Sequence, residues 1–134
     1  MISRRAILLT LGTAISAASQ PAWAAKRAAD PIRMFDTDND GTLDLAEVKK
    51  AARALFTKLD RDRDGTLDKV ELAGRLSAKE LAAADPDHDG TLTADEYLAV
   101  VEQRFTAANP DKDGTLDANE LKSRPGQALL RLLR

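Results

Sequence analysis

The residues able to do chemistry in this chain are carboxylates, and they fall into four groups with the same internal spacing. Each group is a twelve-residue stretch with oxygen-bearing side chains at positions 1, 3, 5, 7, 9 and 12 and glycine at position 6. The first holds Asp36, Asp38, Asp40, Thr42, Asp44 and Glu47; the second holds Asp60, Asp62, Asp64, Thr66, Asp68 and Glu71. The third holds Asp85, Asp87, Asp89, Thr91, Thr93 and Glu96; the fourth holds Asn109, Asp111, Asp113, Thr115, Asp117 and Glu120. A hard cation requires six to eight oxygens converging at ~2.3–2.6 Å, and a tight turn is what brings successive carboxylates inward to that distance. Glycine at position 6 makes the turn, the threonine at position 7 is expected to offer its backbone carbonyl, and the glutamate at position 12 can bind through both oxygens.

This pattern resembles the EF-hand metal loop, and four copies in register point to a repeat rather than to chance. Loops 1 and 2 carry five carboxylates each. Without metal these charges repel at close range, so the metal-free protein is expected to be loosened and metal binding to drive folding. In loop 3, Thr93 replaces a position 9 carboxylate; in loop 4, Asn109 removes the position 1 charge and makes this loop the expected weakest. His88, at position 4 of loop 3, is expected to face solvent. The chain has no cysteine and a single histidine, so disulfides, thiolate chemistry and histidine-based sites are excluded. No serine, histidine and acid set is available, and the paired carboxylates are committed to metal, so the chain is not expected to be an enzyme.

Positioning these loops falls to short helices. Apolar residues recur four places before each loop (Ile32, Phe56, Leu81, Phe105), at position 8 (Leu43, Leu67, Leu92, Leu116) and just after it (Val48, Leu72, Tyr97, Leu121). Only 12, 13 and 12 residues separate successive loops. One helix must therefore serve both neighbouring loops. Val48 and Phe56, like Tyr97 and Phe105, are eight residues apart and share a helical face, and neither connector contains glycine or proline. The middle connector places Leu72 and Leu81 nine apart, so a break must restore the phase: Gly74 can end one helix, and Ser77 with Glu80 forms a capping box that can start another. A continuous connector of about fifteen residues is ~22 Å long, which keeps its two loops apart and predicts that loop 2 pairs with loop 3 and loop 1 with loop 4. The expected fold is all-α, with four EF-hand loops in a single compact domain and short shared connecting helices.

Residues 1–24 are different material. Arg4 and Arg5 precede an apolar run from Ala6 to Ala18, and Pro21 and Ala22-Trp23-Ala24 follow. This predicts a cleaved signal peptide, by the general or the twin-arginine route, because about thirteen apolar residues are too few for a ~20-residue membrane span. Residues 25–134 are then the mature metal-binding domain, delivered to the periplasm and held by no membrane. That segment keeps 18 basic against 22 acidic residues, a net charge of −4 with no basic nucleic-acid footprint. Asp30-Pro31 suits the start of a short helix, Pro125 is expected to stop the helix after loop 4, and Gln127–Arg134 is an amphipathic end expected to dock on a thin aliphatic core.

Taken together, these features resemble the lanmodulins, periplasmic lanthanide-binding proteins of lanthanide-using methylotrophic bacteria. The likeness rests on the twelve-residue connectors, Pro86 and Pro110 at position 2, Asn109 opening the last loop, the position 9 acids Asp44, Asp68 and Asp117, and the stretch Tyr97–Leu121. It departs from the family pattern at Thr37, Arg61 and Thr93. The resemblance implies selective binding of trivalent lanthanide ions (La3+ to Nd3+), metal-driven compaction and a role in lanthanide uptake or trafficking. The residues themselves leave Ca2+ open as the ion of a periplasmic sensor or calcium-stabilised interaction module, and leave a protein partner or homodimer open too.

Overall fold

Each acidic loop ends in a strand of two residues that runs almost directly into a helix. The computed structural model describes residues 30–134; the export segment expected over 1–24 lies outside the described residues. Seven helices are present among them: α1 (Pro31–Phe35), α2 (Leu45–Leu59), α3 (Lys69–Leu72), α4 (Ala78–Ala84), α5 (Ala94–Ala108), α6 (Ala118–Lys122) and α7 (Arg124–Leu130). Between them lie β1 (Leu43–Asp44), β2 (Thr66–Leu67), β3 (Leu92–Thr93) and β4 (Thr115–Leu116).

Capping chemistry sets the helix starts. At α2, α3, α5 and α6 the position 9 residue of the preceding loop (Asp44, Asp68, Thr93, Asp117) accepts from the backbone of the position 12 glutamate, and that glutamate reaches back to the cap's own N–H. Each box satisfies two helix-end donors at once. With no internal breaker, α2 and α5 each run 15 residues and carry one loop to the next. The middle connector breaks as its nine-residue phase requires. Helix α3 lasts one turn, Ala73 and Gly74 turn left-handed with φ of 50° and 77°, and Ser77 and Glu80 form the capping box that starts α4. Asp30 caps α1, with Pro31 in its first turn.

Strand pairing follows the lengths. β1 pairs antiparallel with β4, bringing Leu43 opposite Leu116, and β2 pairs with β3, bringing Leu67 opposite Leu92. All four leucines are fully buried, each stabilising the fold by about 1.5–3 kcal/mol relative to exposure. The fold is thus mostly helical rather than all-α: β-propensity at Thr-Leu and the gain from burying facing leucines make short ladders where the loops meet.

The two long helices pack together, with the Phe56 ring edge-on to Tyr97 at 5.7 Å and Lys49 paired to Glu102 at 2.9 Å. The C-terminal segment docks on them: Leu129, Leu130, Leu132 and Leu133 are buried, and the Tyr97 hydroxyl donates to the Leu132 carbonyl at 2.7 Å. Arg104 adds a bond to the Ala128 carbonyl and an ion pair with Glu80 at 2.9 Å. Pro125 does not simply stop a helix. Ser123 ends α6 and caps α7, so the last helix starts at Arg124, with Pro125 in its first turn, and runs into the amphipathic end expected over Gln127–Arg134. Gly126 is needed there because a Cβ would stand 2.6 Å from Leu121 Cα.

Candidate metal centres

Local hydrogen bonds curl each acidic loop. The position 1 carboxylate accepts from the position 6 glycine amide in the first three loops, at 2.9 Å for Asp36, 3.0 Å for Asp60 and 2.8 Å for Asp85. At position 5, Asp40, Asp64, Asp89 and Asp113 each accept from both the amide and the hydroxyl of the threonine two residues on. The turn needs left-handed backbone twice, at position 4 (Asn39, Arg63, His88, Lys112) and at the glycine, where φ is 80° at Gly90. His88 is exposed, as the spacing predicted.

Carboxylate oxygens converge within 4.8 Å of one another in three places: Asp36, Asp38 and Asp40; Asp60, Asp62, Asp64 and Glu71; and Asp85, Asp87 and Glu96. Among the described residues, loop 4 makes no such group. With its amide oriented to satisfy both ends, Asn109 donates to Asp111 at 2.6 Å and to Asp113 at 3.2 Å, where the other loops place a carboxylate. Asp44, Asp68, Thr93 and Asp117, all expected as ligands, also cap the helices that follow, the three aspartates through Oδ1 alone. The threonines at position 7 (Thr42, Thr66, Thr91, Thr115) direct their hydroxyls to position 5, consistent with a role for the carbonyl rather than the side chain.

Crowding shows in the proton affinities. For Asp62 the Asp64 amide favours the charged form, but desolvation, the bond shared with Asp60 and the charges of Asp64 and Glu71 outweigh it and raise the carboxyl to about 6. In loop 3, hydrogen bonding between Asp85 and Asp87 holds Asp85 below the ordinary carboxylate range and pushes Asp87 above it. Asp85 is almost fully buried, yet its Oδ1 has no hydrogen-bond partner. A buried acceptor without a donor is costly, and a cation at the loop centre satisfies it. The sequence over residues 33–102, more than half of the chain, matches the model of the EF-hand domain pair. The chain belongs to the EF-hand family. No curated protein matches it.

One EF-hand position carries a role that side-chain types did not reveal. At position 2, the Thr37 amide and hydroxyl donate to Glu47 Oε1 at 2.7 and 3.1 Å, and the Arg61 amide donates to Glu71 Oε1 at 3.2 Å. Pro86 and Pro110 stand at position 2 of the other two loops and have no N–H to give. The only trace of this in the sequence is the split at that position between Thr37 and Arg61 in the first two loops and proline in the last two. Glu47 is also the one position 12 glutamate of the first three loops that stays out of its carboxylate group.

Proposed function

We propose that this EF-hand chain is an exported binder of trivalent lanthanide ions, which it takes in preference to calcium, folding around them in the periplasm to serve lanthanide uptake or trafficking. Residues 25–134 form the working domain with four EF-hand loops. The observation that carries this reading is the convergence of Asp60, Asp62, Asp64 and Glu71 within 4.8 Å, with Asp62 raised to about 6. Four carboxylates this close repel, and a third positive charge offsets that repulsion better than two. Every donor is a hard oxygen, which suits lanthanide and calcium ions alike, and the orphaned Asp85 Oδ1 fits a cation at the centre of loop 3. The ligands are Asp36, Asp38, Asp40, Asp44, Glu47, Asp60, Asp62, Asp64, Asp68, Glu71, Asp85, Asp87, Asp89, Thr93, Glu96, Asn109, Asp111, Asp113, Asp117 and Glu120, with backbone oxygen of Thr42, Thr66, Thr91 and Thr115 at position 7. The resemblance to lanmodulins supports the lanthanide preference.

A calcium-stabilised interaction module is the second reading. A 450 Å3 groove lined by Met34, Phe35, Ala51, Leu55 and Leu133 lies beside Glu47 and favours it, because it offers apolar surface next to an ion site. Titrating the mature protein with La3+ in millimolar calcium, while following helicity by circular dichroism, separates the two. A further gain of helix on adding La3+ is expected. No response beyond that to calcium would overturn the lanthanide reading.

A further inference from the structure

The glutamate at position 12 must swing both oxygens to the ion, and a carboxylate offers about four lone-pair positions in all. In loop 1 these are largely spent. Glu47 Oε1 accepts twice, from the Thr37 amide at 2.7 Å and the Thr37 hydroxyl at 3.1 Å, while Oε2 accepts from the Asp44 amide at 3.1 Å. In loop 2, Glu71 accepts once on each oxygen, from Arg61 and Asp68 at 3.2 and 3.1 Å. In loops 3 and 4 only Oε2 is engaged, by Thr93 at 2.8 Å and by Asp117 at 2.9 Å, because Pro86 and Pro110 have no amide to donate. Among the first three loops the carboxylate groups follow the same order, Glu71 and Glu96 joining the aspartates of their loops whereas Glu47 does not; Glu120 joins none, in the loop where Asn109 replaces the position 1 carboxylate. Glu47 is also buried, so solvent cannot readily replace a bond that it gives up.

We propose that Thr37 is a positioning residue that latches Glu47 away from the ion in loop 1, so that position 2 grades the metal affinity of the loops in this chain. The inference rests on the metal-binding reading above. Closing loop 1 around an ion costs the bonds to Thr37, a cost that loops 3 and 4 do not meet. The latch therefore withholds loop 1, despite its five carboxylates, until loops 2 and 3 are filled. Asp36, before position 37, is extended at φ −69° and ψ 102°, close to the region that a residue preceding proline favours.

The test is a La3+ titration of the mature protein by two-dimensional amide NMR. The position 6 glycines Gly41, Gly65, Gly90 and Gly114 serve as one reporter per loop. In the wild type, Gly41 is expected to respond after Gly65 and Gly90. Thr37→Val removes the hydroxyl bond and Thr37→Pro removes both, and each should move the Gly41 midpoint to lower metal, by about tenfold for the proline variant. Thr37→Ser keeps both bonds and should leave it unchanged. The reciprocal variant Pro86→Thr should install the latch on Glu96 and delay Gly90 alone. An unchanged or later Gly41 midpoint in both Thr37→Val and Thr37→Pro, or an unmoved Gly90 in Pro86→Thr, overturns the latch while leaving metal binding intact. Absence of any glycine response to La3+ or Ca2+ in the wild type overturns the metal-binding reading itself.

Discussion

Tyr97 joins the third loop's exiting helix to the C-terminal segment through one buried bond, and replacing it with phenylalanine isolates that bond. The hydroxyl donates to the Leu132 carbonyl at 2.7 Å, and the ring is fully buried with its edge contact to Phe56 at 5.7 Å. Phenylalanine keeps the ring, its packing and the aromatic contact, so the loss reduces to the hydrogen bond and a carbonyl left unpaired in the core. That costs about 1–3 kcal/mol. At roughly 2 cal/mol/K of unfolding entropy per residue, 1 kcal/mol lowers the melting temperature of about a hundred residues by roughly 4–5 °C, so a fall of about 5–14 °C is expected. The assay is thermal unfolding followed by far-ultraviolet circular dichroism at a fixed excess of metal, because bound ligand shifts the midpoint by mass action. Burial also pushes the Tyr97 phenol up to about 12, against smaller opposing effects of Arg75 and Arg104. Its phenolate absorbance in the folded protein should therefore appear well above the ordinary value of 10.0. A Tyr97→Phe protein as stable as wild type, with a wild-type phenol titrating near its ordinary value, would refute a buried, bonded Tyr97 and with it the docking of the C-terminal segment.

Two further outcomes are expected. Asp62 binds its proton more tightly in the folded state, at about 6 against 3.8, so between about pH 4 and 6 the folded state holds more protons and its stability falls as pH rises. Metal-free protein should melt at a higher temperature near pH 5 than near pH 7, a difference that Asp62→Asn should reduce. The depressed Asp36, Asp64, Asp85 and Glu80 do not reverse this sign between pH 7 and pH 5, because their stabilisation is present above their ordinary values of 3.8 and 4.5 and is lost as pH falls through and below them. Gly126→Ala should destabilise by about 3 kcal/mol or more, since the added Cβ meets Leu121 backbone rather than a movable side chain; denaturant titration with metal held constant measures it.

Much of the architecture was legible because helical phase and connector length are local quantities. Eight residues between Val48 and Phe56 demanded one unbroken helix, nine between Leu72 and Leu81 demanded a break, and the ~22 Å continuous connectors kept loop 1 from pairing with loop 2 and loop 3 from pairing with loop 4. The helices, the Ser77 cap and both strand pairings followed. Position 9 was harder. Asp and Thr serve equally as oxygen ligands and as helix N-caps, so the sequence offered Asp44, Asp68, Thr93 and Asp117 as ligands without showing that they also cap the following helices. The start of α7 could have been found from Ser123 followed by Pro125, a cap with proline in the first turn. The Thr37 bond to Glu47 was invisible for a different reason: half of it is a backbone amide, which every residue except proline carries. Tyr97 showed only as an anchor, because its partner is a main-chain carbonyl 35 residues away.

The strand pairings are nested, β2 with β3 inside β1 with β4, and this orders events in time. Leu67 and Leu92 close across 25 residues of chain, whereas Leu43 and Leu116 close across 73. Loop-closure entropy grows by about 0.6 kcal/mol per doubling of length, so the outer pair costs about 1 kcal/mol more if formed first. Once the inner pair and its helices are in place, much of that span is already folded. A chain emerging amino-terminus first can thus complete its central pair while the last loop is still absent, and the final residues, arriving with Leu116 and the C-terminal leucines, act as a clasp on a half-built molecule.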